Sequence, residues 1–388
     1  MKRIQLEPIS RRASLKGLGA LALATVVEGG GTAATPGGVG DSCPVPDFSH
    51  FANVHAASAA AIPSNVIHCR TGGYHSAGDG GGALYIRVPS RPLHALRFRS
   101  ADRYSPSGSV DSENGGWWSW ADNTLTPEMA GAKGDADVAT WAGTDDWQAI
   151  QDALDAHIFF HVATEVCFWQ SKSYRVTKSL RLGNGVGAPI CARVRGPGLA
   201  HCGKKLGGGP VIMCDFADAP GVAIQGGRSV RWKGVDLKGR HDCDPVNKQM
   251  RAVDGSSVDN AALSNWVDAS LNDEAPSPYV PHAAFAIDNY AGERPAKSQP
   301  DLSLPSFVRA AVQSGTASSS DILIEHVWIA GFLVALANQP CDGESKGVRA
   351  KLRSVAIEPC EYGICIGKTG FPDLSIRDVS LGQRVLTS

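Results

Sequence analysis

The 388-residue sequence predicts an all-β chain wound as a parallel β-helix, and three observations predict it. One apolar frame recurs four times in the C-terminal half; 44 glycines and 23 prolines accompany few long helical patterns; and one short amphipathic helix stands ahead of the repeats. The frame sets apolar residues at offsets of two, three and two: Val230, Trp232, Val235, Leu237; then Ile322, Ile324, Val327, Ile329; then Ala350, Leu352, Val355, Ile357; then Leu374, Ile376, Val379, Leu381. Alternation within each pair makes a short strand with one face inward, and the extra residue between pairs makes a bend. The second and third copies begin 28 residues apart and the third and fourth 24, the rhythm of successive coils. Strands of a sandwich turn over faster, at about 8 to 12 residues.

From the N-terminus, Ser10-Arg11-Arg12-Ala13-Ser14-Leu15-Lys16 and the apolar run Leu18 to Val27 match a twin-arginine export signal, with Ser14 where an aromatic is usual. The run is too short to span a membrane. Residues 1–34 are therefore expected to be a signal peptide cleaved near Ala34, and the protein periplasmic or secreted. Residues 35–127 are expected to form a small β module. Within it, the glycine-rich stretch from Gly72 to Tyr85 fits a tight hairpin whose glycines supply positive φ angles. No Lys-Ser or Lys-Thr follows it, so a phosphate-cradling loop is not expected. Of Trp117, Trp118 and Trp120, the last two share a face, as a sugar-stacking platform or, the favoured reading, as packing at the joint with the following helix.

That helix is announced by Gly131-Ala132-Lys133-Gly134-Asp135 and then Thr144-Asp145-Asp146-Trp147. Thr144 is expected to cap the N-terminus, Asp145 and Asp146 to favour the positive end of the dipole, and Trp147, Ile150 and Leu154 to form one buried stripe. The pair of segments resembles the opening motif of the pectate-lyase and polygalacturonase superfamily. That resemblance implies a right-handed parallel β-helix over residues 128–388, with the helix covering its open end. The family's Pro-x-Gly-x-Tyr turn is represented here by Gln170-Ser171-Lys172-Ser173-Tyr174, which keeps the tyrosine. The element Gly73-Tyr74 with Gly78-Asp79-Gly80-Gly81-Gly82 resembles one that precedes the β-helix in secreted β-helix proteins and phage tailspikes.

Short strands such as Val166-Phe168, Tyr174-Val176, Leu180-Leu182, Ala192-Val194 and Val211-Met213 carry the rhythm on from about Thr164. Between Arg240 and Ser320 the frame lapses, so residues 241–320 are expected to be a long excursion forming a groove wall. Cys167, Cys191 and Cys214, near one coil apart, are expected to stack as buried small hydrophobes; Cys360 and Cys365 are close enough in sequence to pair. Leu381 stands seven residues before Ser388. The coil end is expected to meet a second copy in a homo-oligomer, or terminal residues folded over it, or to reflect a shortened gene product.

A net charge of −1 with scattered Lys and Arg excludes a nucleic-acid binder, and no Cys or His spacing suggests a metal site. The family's catalytic Asn-Thr-Asp, Asp-Asp, Gly-His-Gly and Arg-Ile-Lys set is absent from the strands. The best acid cluster is Asp236, Asp242 and Asp244, interleaved with Lys238, Arg240 and His241; alternation points Asp236 and Lys238 outward, followed by Arg240, Asp242 and Asp244 if the strand persists. Such a row serves acid–base chemistry on a uronate chain, or is a solvated face. Asp288, Asn289 and Tyr290, with His282, Glu293 and Arg294, are candidates for a groove wall that binds saccharide hydroxyls; His201, Lys204 and Lys205 are weaker ones. The resemblance implies an extracellular polysaccharide as partner, cleaved by hydrolysis between carboxylates or by elimination with an Arg or Lys base, Arg240 or Lys238, and carboxylate-bound calcium. The alternative is a non-catalytic carbohydrate-binding or surface-structural protein.

Overall fold

The computed structural model describes residues 48–107, 113–169, 172–183, 191–197, 209–243, 250–254, 256, 258–272, 279, 281–288, 319–338, 349–358, 360–366 and 373–381. The export signal, Asp244, Asn289, Tyr290, Glu293, Arg294, His201, Lys204 and Lys205 lie outside the described residues.

The N-terminal module is one sheet of β1 (Phe48–Phe51), β2 (His68–Thr71), β3 (Leu84–Val88), β4 (Arg97–Arg99) and β5 (Trp117–Trp120), in the order β1-β2-β3-β5-β4. β1 and β2 run parallel across helix α1 (Val54–Ala59), which Asn53 caps by accepting the Ala56 N–H; the remaining pairs are antiparallel. A buried cation sits at its centre. Arg87 pairs with Asp102 at 2.7 Å and donates to the carbonyls of Ile62, Pro63, Val66 and Tyr104, while its guanidinium lies 4.5 Å over Trp118. Trp118 is fully buried, stacks on Phe98 and donates to Ser100 Oγ. It therefore packs the module's own core, deeper than the joint expected from sequence. The glycine stretch makes a twelve-residue connection, longer than a tight hairpin, closed on Asp79: its carboxylate accepts the N–H groups of Tyr74, His75, Ser76 and Gly81. The nest that could hold an anion is filled by the loop's own aspartate.

Helix α2 (Trp147–Phe160) covers the first coil. Its capping is not the expected one. The Thr144 hydroxyl donates to Asp135, and the Asp146 carboxylate accepts the N–H groups of Lys133 and Gly134 at 2.8 and 2.9 Å. Asp145 accepts the Trp147 N–H and the Thr177 hydroxyl. The motif thus clasps the preceding turn to the coil. The helix then substitutes for the missing strand: Gln151 accepts the Arg181 N–H and donates back to the Arg181 carbonyl, and His157 Nε2 accepts the Arg193 N–H. An open strand edge is satisfied by side chains in place of another strand.

The coils follow in order. The first holds β6 (Val166–Cys167), β7 (Ser173–Val176) and β8 (Leu180–Leu182); the second β9 (Arg193–Arg195), β10 (Val211–Cys214) and β11 (Val222–Ile224). The third runs through β12 (Arg231–Lys233) and β13 (Asp236–Lys238), departs into the hairpin β14 (His241–Cys243) and β15 (Met250–Ala252) and helix α3 (Asn260–Asn272), and returns as β16 (Ala283–Ile287). Then come β17 (Ile322–Ala330) with β18 (Phe332–Asn338), β19 (Arg349–Ile357) with β20 (Cys360–Ile366), and β21 (Asp373–Leu381).

All inter-coil pairs are parallel and form three ladders, so the chain is a right-handed parallel β-helix. The first ladder is β6, β9, β12 and the N-terminal halves of β17, β19 and β21. The second is β7, β10, β13 and their C-terminal halves. The third is β8, β11, β16, β18 and β20. The repeat frame is the register itself: Trp232 faces Ile324, Ile324 faces Leu352, Leu352 faces Ile376, and Val327, Val355 and Val379 align. The extra residue between pairs is a left-handed bend in all four copies, with φ of 64° at Gly234, 55° at His326, 49° at Ser354 and 52° at Asp378. Three of these carry a side chain in a region that costs about 1–2 kcal/mol each.

Two expectations change. The stretch from 241 to 320 is interrupted by β16, a core strand of the third ladder, whose alternation was hidden because all five residues of Ala283–Ile287 are buried. The cysteines do not stack: Cys167 faces Arg195 in the first ladder, Cys214 faces Val176 in the second, and Cys191 is exposed ahead of β9. Cys360 and Cys365 form no disulfide with each other, since five positions along one strand put them on opposite faces. The outer face of the third ladder is covered, with Trp266 and Leu263 of α3 and Met250 of β15 packed on Ala286, Val334 and Ala337. Among the described residues no helix is long and apolar enough to cross a membrane.

Candidate functional site

The charged candidates converge on the outer face of the second ladder. Arg175, Met213 and Lys238 stand in register on β7, β10 and β13. The turn between Asp135 and Asp145 folds across this row, tied at both ends by single bridges to Ser173 and Arg175. Asp137 caps it by accepting the N–H groups of Ala139 and Thr140, and its carbonyl accepts the Trp141 N–H at 2.8 Å. Trp141 is thereby held at φ 64°, an outlying conformation for so bulky a residue, of the kind that concentrates at functional sites.

Its indole rests on Val211 and Met213 and carries two cations on top: Lys238 Nζ lies 5.0 Å and the Arg240 guanidinium carbon 4.6 Å from the ring centroid. Lys238 Nζ donates to the Val138 carbonyl at 2.6 Å. Asp215 accepts Arg175 Nε on one oxygen and Arg240 Nε on the other, each at 2.6 Å. Burial pushes the Lys238 ammonium below the ordinary lysine range, with Arg240 adding to the shift and Asp242 and Asp137 opposing it.

Of the expected residues, the structure brings together Lys238, Arg240 and the exposed Asp242. It separates the others. Asp236 does not stand free in solvent: it is buried and accepts the Trp328 N–H of the next coil at 2.7 Å. The strand ends at Lys238, because Gly239 sits against the Gly331 carbonyl where a Cβ would come within 2.2 Å, so the outward row breaks there. His241 consequently turns inward. It is buried beside His282, and burial drives both imidazoles down, to about 4 and about 3, so both are neutral core groups and not saccharide ligands. Asp288 is likewise structural: 1% exposed, it accepts the Gly226 N–H and both the N–H and hydroxyl of Ser319, tying three coils together.

Arg175, Asp215, Asp137 and Trp141 were missed. Asp215 and Arg175 lie 25 and 65 residues from Arg240 in sequence, and only the coil register makes them neighbours. A large aromatic inside a glycine- and aspartate-rich turn was the one signal available for Trp141. Among the described residues no three His, Cys, Asp or Glu side chains stand close enough to hold a metal ion, so no calcium cage is found among them.

No family model matches the sequence, and no curated protein matches it. Similar solved structures include tailspike protein 2 of Escherichia coli O157:H7 bacteriophage CAB120, at TM-score 0.44 and 11% identity over 85% of this chain and 33% of that one. Pantoea stewartii WceF, a glycan biofilm modifying enzyme with a tailspike-like parallel β-helix fold, gives 0.41 and 11% over 87% and 41%. The gp49 tailspike of Acinetobacter baumannii bacteriophage Fri1, a capsular polysaccharide depolymerase, gives 0.32 and 9% over 85% and 62%. The chain spans less than two thirds of each of these structures. These scores are low, and the parallel β-helix rests on the ladders themselves.

Proposed function

We propose that the protein is exported and acts on an acidic, uronate-bearing polysaccharide at the Trp141 corner, by β-elimination. The observation that carries this is the pairing of a desolvated lysine with a guanidinium over one indole. Arg240 commits Nε to Asp215, and its other nitrogens suit the fork of a uronate carboxylate. Lys238, once neutral, keeps its hydrogen bond to Val138 and offers its lone pair to the proton on the carbon beside that carboxylate. The freed electron pair becomes the new carbon–carbon double bond as the glycosidic oxygen departs and takes a proton from solvent. Hydrolysis needs two available carboxylates, and here Asp236 is buried, Asp215 is held by two arginines and Asp137 caps its own turn, which leaves Asp242 alone among the described residues of this corner.

The test is incubation with a panel of uronate and neutral polysaccharides, following ultraviolet absorbance of unsaturated ends beside total reducing ends. Unsaturated product is expected, with a rate that rises with pH through the lowered Lys238 pKa and falls about 100-fold or more in Lys238→Ala. Reducing ends without absorbance overturn elimination. The same spent carboxylates favour a second reading, glycan binding alone, for which retention without any product is the mark. Sequencing the N-terminus of exported material tests cleavage near Ala34.

A further inference from the structure

A second surface is built by the same winding on the first ladder. The Lys and Arg residues at its outward positions are scattered in the sequence, yet the register gathers them. Arg193, Arg231 and Lys351 fall in one row, broken by Leu323. Arg195, Lys233, Arg353 and Arg377 fall in the row beside it, broken by Glu325. With Arg349 on the same face, eight cations stand among the carboxylates of Glu165, Asp321, Glu325 and Asp373, in a chain whose net charge is −1. Three of the acids are matched: Glu165 to Arg195, Glu325 to Lys233 and Asp321 to Arg349.

Neighbouring strands repeat about every 4.8 Å and alternate residues along a strand about every 6.7 Å, so the cations stand at these intervals with gaps at Leu323 and Glu325. Like charges at such spacing destabilise a sheet. In the four repeat copies the left-handed bends at Gly234, His326, Ser354 and Asp378 turn one border of this face in a single residue. At the first coil, exposed Trp169 lies under the Arg195 guanidinium at 4.8 Å.

We propose that this face is a binding site for a linear acidic glycan, whose carboxylate or sulfate groups repeat along an extended chain and lie across successive coils. Duplex nucleic acid is read by an element that enters a groove, and among the described residues no helix or ribbon projects here. Single strands need aromatic platforms for successive bases, and the face offers one tryptophan at its end. The proposal is independent of elimination at the Trp141 corner.

The full chain is passed over immobilised polygalacturonate, immobilised heparin and neutral dextran, and eluted with salt. Retention on both acidic supports and none on dextran is expected. Lys351→Glu/Arg353→Glu is expected to elute at half the salt concentration or less, while the control Arg70→Glu/Arg251→Glu, on exposed positions elsewhere, elutes as the parent does. Circular dichroism and thermal midpoints matching the parent confirm that the variants are folded. Equal elution of the two double variants overturns the proposal, as does stronger competition by single-stranded DNA than by polygalacturonate of equal charge. Lys238→Ala keeps full retention if the two sites are separate; loss of retention there overturns their independence. Absence of any unsaturated product, with retention intact, sinks the elimination reading and leaves this one standing.

Discussion

The N-terminal module and the solenoid are held together in opposite ways. The module converges on one group, the buried Arg87, whose five donated hydrogen bonds and indole contact hold Asp102, Trp118 and the carbonyls of its loops. The solenoid has no such centre. Its stability is divided among equivalent rows, in which Ile324 touches Trp232 on one side and Leu352 on the other, and each coil depends on its neighbours. A convergent core fails at one point, whereas a repeated one fails by degrees.

The largest expected effect breaks the module. Arg87→Ala leaves Asp102 charged and buried, and should cost about 3–5 kcal/mol, read as a fall in the urea midpoint of the tryptophan signal. Burial would raise the Asp102 pKa, but hydrogen bonds from Ser100 and Arg87 and the N–H groups of Tyr104 and Ile62 hold it below the ordinary range, so the carboxylate stays charged. A smaller fall than for a mid-solenoid truncation would contradict the idea of a convergent centre. Ile324→Ala is that truncation, expected to cost about 2–4 kcal/mol with the remaining coils still giving the circular dichroism of β structure.

Acid sharpens the contrast next, through the solenoid's buried histidines. His282 and His241 are kept neutral by burial, with pKa values near 3 and 4 against 6.5 in an unfolded chain. The unfolded state takes up their protons first, so stability is full above pH 6.5 and drains away as pH falls toward 4. His282→Phe gives up the bonds to the Ala219 carbonyl and Arg240 N–H, about 1–2 kcal/mol at neutral pH, but should lose less than the parent between pH 7.5 and 5. Urea midpoints at both values decide it; a parallel fall in parent and variant would acquit the histidine. The smallest effect concerns the bends. Ser354→Gly removes a side chain from a left-handed position and should raise the unfolding free energy by up to about 1 kcal/mol, while Ser354→Val lowers it.

How much was legible follows from how local each signal is. The two-three-two frame is a local pattern, and it named the facing residues of the inner rows before any coordinates: Ile322 with Ala350, Ala350 with Leu374. The lid helix was legible from Trp147, Ile150 and Leu154, though its cap was not, because Asp146 serves the backbone of a turn 12 and 13 residues upstream. β16 escaped because burial on both faces erases alternation. Of the site, Lys238 and Arg240 were legible as neighbours in sequence. His241 was misplaced because a corner glycine, not the strand, decides where residues past Lys238 point, and Asp236 and Asp288 because the N–H groups that claim their carboxylates come from neighbouring coils.

By itself the sequence determined the period: where strands alternate, where the bend falls, and so which residues face the hollow. The winding decided everything on the outside. Coil length between repeats is variable, and a charge at Arg193 becomes the neighbour of Arg231 only through backbone hydrogen bonds between coils. Inward residues are chosen by apolarity, which is written in each segment, but outward ones acquire their meaning from register, which exists only once the coils are stacked.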